Sequence, residues 1–323
     1  MLKLINKVPA GMFVVPMVLS MILNTFWPDL FLVGGMTQSL FSGDGVPFMV
    51  AFLTFASGVS IKLGDIPSLL KRHGVLFLIK LIVSVALSVL YMRAFGQEGI
   101  FGISALGFTL VMTSLNPSVY LSVVDEYGDD LDPAAFGITA IFTLPLIPQI
   151  IYSLGYTEGG SGGGFDFTPI LLTLIPLIFG MILGNIDAGF RGVFGPGLGA
   201  IIPVLGWGIG QSANIIDAFR SGLPGIIITL VFVIIYSSLF VVDKYVLKKN
   251  GITGLAFIIV AGTSAAAGPT ITAIYPELLP YLGNAVALVV FAFIITSVAT
   301  PLVIGWYHSK YVAPKEEAVG TAV

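Results

Sequence analysis

Long apolar runs closed by short polar or Gly/Pro-rich stretches set the pattern of this chain. A helix needs about 20 apolar residues to cross about 30 Å of hydrocarbon. Windows of that kind fall at about 9–27, 46–61, 74–92, 100–124 and 134–154, then at about 168–186, 199–216, 223–242, 252–274 and 282–306. The pattern predicts an all-α integral membrane protein with ten transmembrane helices. The second and seventh windows are short and Gly-rich. No cleavable signal peptide is expected, because the first run, Val8 to Trp27, is long enough to span and lacks a small-residue cleavage pattern.

Two windows are interrupted. Thr113-Ser114-Leu115-Asn116-Pro117-Ser118 lies in the run from Ile100 to Val124, and Thr263 to Thr270, with Gly268-Pro269, lies in the run from Ile252 to Ile274. Pro117 removes a backbone donor and pushes away the carbonyl of Thr113; Pro269 does the same to Ala265. Unwound backbone at membrane depth persists only where it is buried in protein or lines a cavity, and interruptions at matching places of two halves point to a transporter's binding site.

The halves do match. Pro9, Pro16 and Met21-Ile22-Leu23 correspond to Pro169, Pro176 and Met181-Ile182-Leu183 at an offset of 160, Pro47 to Pro203 at 156, and Gly99-Ile100, Gly102 and Pro117 to Gly251-Ile252, Gly254 and Pro269 at 152. A Gly-rich linker, Glu158 to Phe165, lies between them. The expected organisation is a five-helix repeat over 1–157, a linker over 158–167, a second five-helix repeat over 168–308 and a cytoplasmic tail over 309–323. Five crossings is an odd number, so the second repeat enters from the opposite side and the repeat is inverted. Of the basic residues in the loops, Lys3, Lys7, Lys62, Lys71, Arg72, Arg191, Lys244, Lys248, Lys249, Lys310 and Lys315 fall on the side of the N-terminus, and Arg93 and Arg220 on the other. Both termini are then cytoplasmic.

Composition narrows the chemistry. Hydrophobic residues make up 56% and charged residues 10% of the chain, far from soluble domains. Cys is absent, which excludes disulfides and thiolate chemistry, and with only His73 and His308 a histidine-rich metal site is excluded as well. No Ser-His-Asp set or phosphate-binding Gly loop occurs, and nothing suggests nucleic acid, so no enzyme is expected. The acidic loop Asp125 to Asp132 reads as a solvated loop or a calcium site.

Within the ten windows there is no Asp or Glu and a single Lys, Lys80. Intramembrane charge marks a functional candidate, although Lys80 also lies within snorkelling reach of the cytoplasmic face. The ligands offered by the breaks are neutral oxygens: Thr113, Ser114, Thr263 and Ser264, with Thr139 and Thr143 of the fifth window, form a candidate sodium shell. Asn116, Pro117, Ser118, Gly268, Pro269 and Thr270 are candidate substrate contacts, because half-helix N-termini suit a carboxylate. Ser57, Gln211 and Asn214 supply a polar wall opposite the breaks. The bland alternative for each hydroxyl is a hydrogen bond to its own helix.

Several segments resemble the 2-keto-3-deoxygluconate permeases: Val8-Pro9-Ala10-Gly11-Met12, Gly58-Val59-Ser60-Ile61-Lys62-Leu63, Asn116 with Tyr120, Gly184-Asn185-Ile186-Asp187 and Ile202-Pro203 with Gly210. More distantly, Gly58 to His73 is similar to the bile acid:sodium symporter superfamily. The resemblance implies a core domain in which broken helices four and nine cross, and a panel domain of the first, second, sixth and seventh spans. It also implies cation-coupled import of a small anionic sugar acid across the inner membrane, with no cofactor beyond a sodium ion or proton. Where the family carries an acidic residue just before the Asn of the fourth span, Thr113 stands here, and a second acidic residue in the fifth span is missing too. Other readings stay open at this stage: a symporter of another organic anion, a cation/proton antiporter, a passive channel or a receptor. The oligomeric state is open, a monomer included.

Overall fold

The computed structural model describes residues 5, 11–128, 132, 135, 139–155, 167–211, 214–216 and 221–313. The predicted linker segment 158–165 and residues 314–323 lie outside these. In chain order the helices are α1 (Gly11–Phe26), α2 (Gly35–Phe41), α3 (Val46–Ser60), α4 (Ile66–Phe95), α5 (Ala105–Met112), α6 (Pro117–Tyr127), α7 (Leu146–Gly155), α8 (Thr168–Ile186), α9 (Gly189–Gly210), α10 (Gly222–Val241), α11 (Ile252–Ala256), α12 (Ala267–Ile274) and α13 (Leu279–Tyr307). Among the described residues no strand occurs beyond an isolated bridge between Ile100 and Ile103.

Among the described residues six stretches are long and apolar enough to cross a membrane: Gly43–Ser60, Leu63–Phe95, Ala105–Tyr127, Gly189–Gly210, Gly222–Val246 and Pro276–Val312. Three shorter apolar helices accompany them, Gly11–Phe26, Leu146–Gly155 and Ile170–Ile186. Prolines open α3, α4, α6 and α13, where the missing N–H would have no helical partner in any case. The third predicted window underestimates its helix, which begins at Ile66 because Pro67 initiates it, and α4 stops at Gly96, whose φ of 65° L-residues rarely adopt. The fifth window is helical only from Leu146, after a 3-10 turn over Ala140–Thr143.

Two tight helix pairs form one side of the molecule: α3 lies on α8, and α1 on α9. Glycine sets their closeness. A Cβ on Gly180 would sit 2.1 Å from the Phe55 carbonyl oxygen, and one on Gly210 would sit 2.2 Å from that of Met17. This is the small-residue packing by which helices associate in lipid, where hydrophobic burial gives no net drive. On the other side α13 packs against α5 and α10, and α4 against α5 and α7, enclosing the interrupted segments among Leu106, Leu110, Phe257, Val286 and Phe293, all buried.

Candidate functional site

The first interruption spans Thr113 to Asn116, between α5 and α6. Asn116 holds it by three bonds: its Oδ1 caps α6 by accepting from Val119 N at 3.1 Å, its Nδ2 donates to Val260 O at 3.4 Å, and its backbone N donates to Ile259 O at 2.8 Å. Pro117 then opens α6.

The second interruption lies further upstream than the Gly268-Pro269 pair predicts. α11 ends at Ala256, Phe257 to Ala261 are non-helical, and a 3-10 turn over Gly262–Ala266 leads into α12. Pro269 is the third residue of α12, where its missing N–H leaves no helical bond unmade, so it starts a helix and breaks none. The non-helical stretch is satisfied from several directions. Phe257 O accepts from Lys80 Nζ at 3.4 Å, Ile258 O from Thr300 Oγ1 at 3.0 Å, and Ile259 O and Val260 O from Asn116. Val260 N donates to Thr296 Oγ1 at 3.0 Å and Ala261 N to Ser114 Oγ at 2.7 Å. Ser114 and Ser264 close the crossing, their hydroxyl oxygens 2.7 Å apart.

The candidate cation ligands divide. Ser114 and Ser264 meet, both buried, whereas the Thr113 hydroxyl turns back to Thr109 O at 2.8 Å and Thr263 is half-buried. Thr139 and Thr143 are buried at the two ends of the 3-10 turn ahead of α7. Of the candidate substrate contacts, Ser118 is exposed, Ser57 and Thr270 are half-buried, and the Thr270 hydroxyl bonds Ala267 O at 2.8 Å. Gly268 is buried so close to α13 that a Cβ there would come within 2.7 Å of Leu282 Cδ1.

A cavity of about 740 Å³ opens beside α12, with Gln211, Asn214, Pro269 and Thr272 on its walls. It brings together three of the predicted substrate contacts, while Asn116, Ser118 and Thr270 stand off its lining. Gln211 Nε2 is anchored on Ser20 O at 3.0 Å, and Asn214 Oδ1 accepts from Ile216 N at 2.8 Å. Two carboxylates, Asp29 and Asp44, also line the cavity, Asp44 accepting from Gln38 Nε2 at 2.6 Å. Among the described residues no basic side chain lines it.

Lys80 does not snorkel. It is fully buried on α4, its ammonium 3.8 Å from the centre of the Tyr236 ring. Sequence reasoning missed a further cluster. Asp132, at the end of the acidic loop, is 1% exposed; its Oδ1 is 3.0 Å from Arg72 Nε and 3.3 Å from His73 Nε2, and its Oδ2 accepts from Thr253 Oγ1 at 3.0 Å. Tyr120 donates to its backbone carbonyl at 3.1 Å, and Lys249 Nζ donates to Arg72 O at 2.7 Å. The cluster ties α6 and α11 to α4. A loop of four Asp and one Glu reads as solvated, and nothing local marks Asp132 as a carboxylate that turns inward.

This geometry, two interrupted apolar helices hydrogen-bonded to each other inside a bundle of apolar helices, is that of a membrane transport protein. The family profile of 2-keto-3-deoxygluconate permease matches residues 2–313, and the chain belongs to that family of permeases. It is 30% identical over 310 residues to 2-keto-3-deoxygluconate permease 1 of Salmonella typhimurium, covering 95% of both chains. It is 30% identical over 314 residues to the 2-keto-3-deoxygluconate permease of Bacillus subtilis, covering 95% of this chain and 93% of the other. With the permease of Escherichia coli O157:H7 the identity is 28% over 330 residues, covering 99% and 98%. The chain is thus a multi-pass membrane permease, not an enzyme.

Proposed function

We propose that this permease imports 2-keto-3-deoxygluconate, or a closely similar anionic sugar acid, across the inner membrane by cation symport with alternating access. The observation that carries this reading is the hydrogen-bonded crossing of the two interruptions, Ser114 on Ser264 and Asn116 on Ile259 and Val260. An anion would be received by the N-terminus of α6 and by Thr270 in the first turn of α12, with Gln211 and Asn214 lining the cavity beside α12 on its path. The coupling ion is sodium or a proton. For sodium, Ser114 and Ser264 with the neighbouring Thr113, Thr263, Thr139 and Thr143 are the oxygens available.

The architecture proposed is ten crossings in two inverted repeats, 1–157 and 168–308, with both termini cytoplasmic. The six long apolar stretches, with the three shorter apolar helices and the interrupted segment 252–274, would make up the ten. Under an exchange of first for sixth and second for seventh span, the pair α3·α8 becomes the pair α9·α1, and both pairs occur. Gly99 and Gly251, at the sequence offset of 152, both take positive φ, 69° and 87°. Ser84 and Tyr236, at the same separation of 152, have hydroxyls 2.6 Å apart, a contact that equivalent residues beside a pseudo-twofold axis would make. The rocking elements would be the panel α1, α3, α8 and α9 against the rest.

Thermal stabilisation of the purified protein by 2-keto-3-deoxygluconate tests the substrate. At a hundred times its dissociation constant a ligand specific for the folded state adds about 2.7 kcal/mol, a clear rise in melting temperature. Absence of a rise with this acid, against a rise with an unrelated organic anion, would remove the substrate assignment.

A further inference from the structure

Three side chains behind the crossing converge on the ends of both interrupted helices. Lys80 and Ser84 lie one turn apart on α4, and Tyr236 faces them from α10. Ser84 Oγ and the Tyr236 hydroxyl lie 2.9 and 2.7 Å from Met112 O, at the end of α5, and 2.6 Å from each other, so one hydroxyl donates to Met112 O and the other donates to it. Lys80 Nζ donates to Phe257 O, just past the end of α11, at 3.4 Å. Both carbonyls belong to helix C-termini, where aligned peptide dipoles leave partial negative charge.

A point where negative helix ends meet among oxygens is where a secondary transporter places a coupling metal ion. Here an ammonium is already tethered to it. Lys80 is 0% exposed, and burying such a charge is costly unless it is compensated. Its compensation is one carbonyl and two ring faces, Tyr236 at 3.8 Å and Phe232 at 4.9 Å. The elements packed on this part of α4 bring no charge to it: α5, α7 and α10 contain no Asp, Glu, Lys, Arg or His, and Tyr236 is the titratable group in contact. On α4 itself the next such group toward the N-terminus is His73, two turns away, which faces Asp132. Of the two buried carboxylates among the described residues, Asp132 is held by Arg72 and Thr253, and Asp243 accepts from Gly254 N at 3.2 Å.

We propose that the Lys80 ammonium takes the place of a coupling metal ion at the crossing, and that gain and loss of its proton is the step that couples transport. The proposal rests on the sugar-acid symport reading above. Phe257, which Lys80 touches, and Ile259, which Asn116 touches, are two residues apart, at most about 7 Å along the chain, so an anion bound at Asn116 feels the charge. Anion and proton then strengthen each other's binding, and by linkage the strengthening is mutual. Once the anion has left on the cytoplasmic side, the ammonium gives its proton to water, R–NH3⁺ + H2O becoming R–NH2 + H3O⁺, and the protein returns with a neutral amine.

Two readouts test this in the full-length protein. Without substrate, melting temperature is compared in choline chloride and in sodium chloride; the expected difference is nil, and a sodium-specific rise overturns the tethered cation. In proteoliposomes, wild type, Lys80→Arg and Lys80→Met are compared for exchange of labelled 2-keto-3-deoxygluconate and for its accumulation under an imposed pH gradient. The Arg variant, whose guanidinium keeps its proton, is expected to exchange but to lose accumulation by about tenfold or more. The Met variant is expected to lose accumulation as well. Accumulation at the wild-type level by either variant overturns the proposal. If wild type itself fails to exchange the sugar acid, the substrate reading falls, while the sodium comparison still decides the role of Lys80.

Discussion

Asn116 does two kinds of work, and its replacement separates them. The side chain caps α6 and reaches Val260 O, so Asn116→Ala is expected to cost about 1 kcal/mol of stability, a loss of one helix cap. Uptake is expected to vanish far beyond what that loss explains. Saturable uptake near the wild-type level in the folded variant would place the site elsewhere. The acid-lined cavity makes a separate prediction. Asp29 and Asp44 repel an approaching anion by about 0.5 kcal/mol each at about 8 Å through water, so Asp29→Asn and Asp44→Asn should each lower KM about twofold at low salt. Raising the salt should erase the difference, because surface charges are screened. An unchanged KM at low salt would mean that the substrate does not pass these residues.

At the scale of elements, the glycines between α3 and α8 fix how near two helices come. A Cβ on Gly180 must push Phe55 backbone aside, and backbone does not yield as a side chain does. Gly180→Ala is expected to destabilise by about 1–3 kcal/mol. Gly192→Ala on α9, whose Cβ would meet nothing within 4 Å, serves as the control and should leave melting unchanged. Sequence made the helices and the interruptions visible, because apolar runs and proline chemistry act locally. It placed the second interruption too late, since Pro269 is a strong local signal while the true break at Phe257–Ala261 is made by distant partners, Lys80, Asn116, Thr296 and Thr300. The same reason hides the fate of hydroxyls: Thr113 and Ser114 are neighbours of one chemistry, yet one serves its own helix and the other a helix from the far half of the chain.

For the molecule as a whole, Asp132 is the knot at one end of the core. It receives Arg72 and His73 from α4, Thr253 from α11 and, through its carbonyl, Tyr120 from α6. Asp132→Asn leaves Arg72 three-quarters buried without its carboxylate. The expected loss is about 3 kcal/mol, at the lower end for a broken buried pair because Arg72 retains some access to water. Denaturation of the detergent-solubilised variant measures it; a loss below about 0.5 kcal/mol would mean the cluster is solvated. The pairing of α1 with α9 reaches further, into how the protein is made. Ser20 bonds Trp207 across 187 residues of chain. At about 5–20 residues per second the ribosome needs roughly 10–40 s to supply that partner. For that interval Ser20 and the face of α1 that packs on α9 are without the partners they hold in the folded protein.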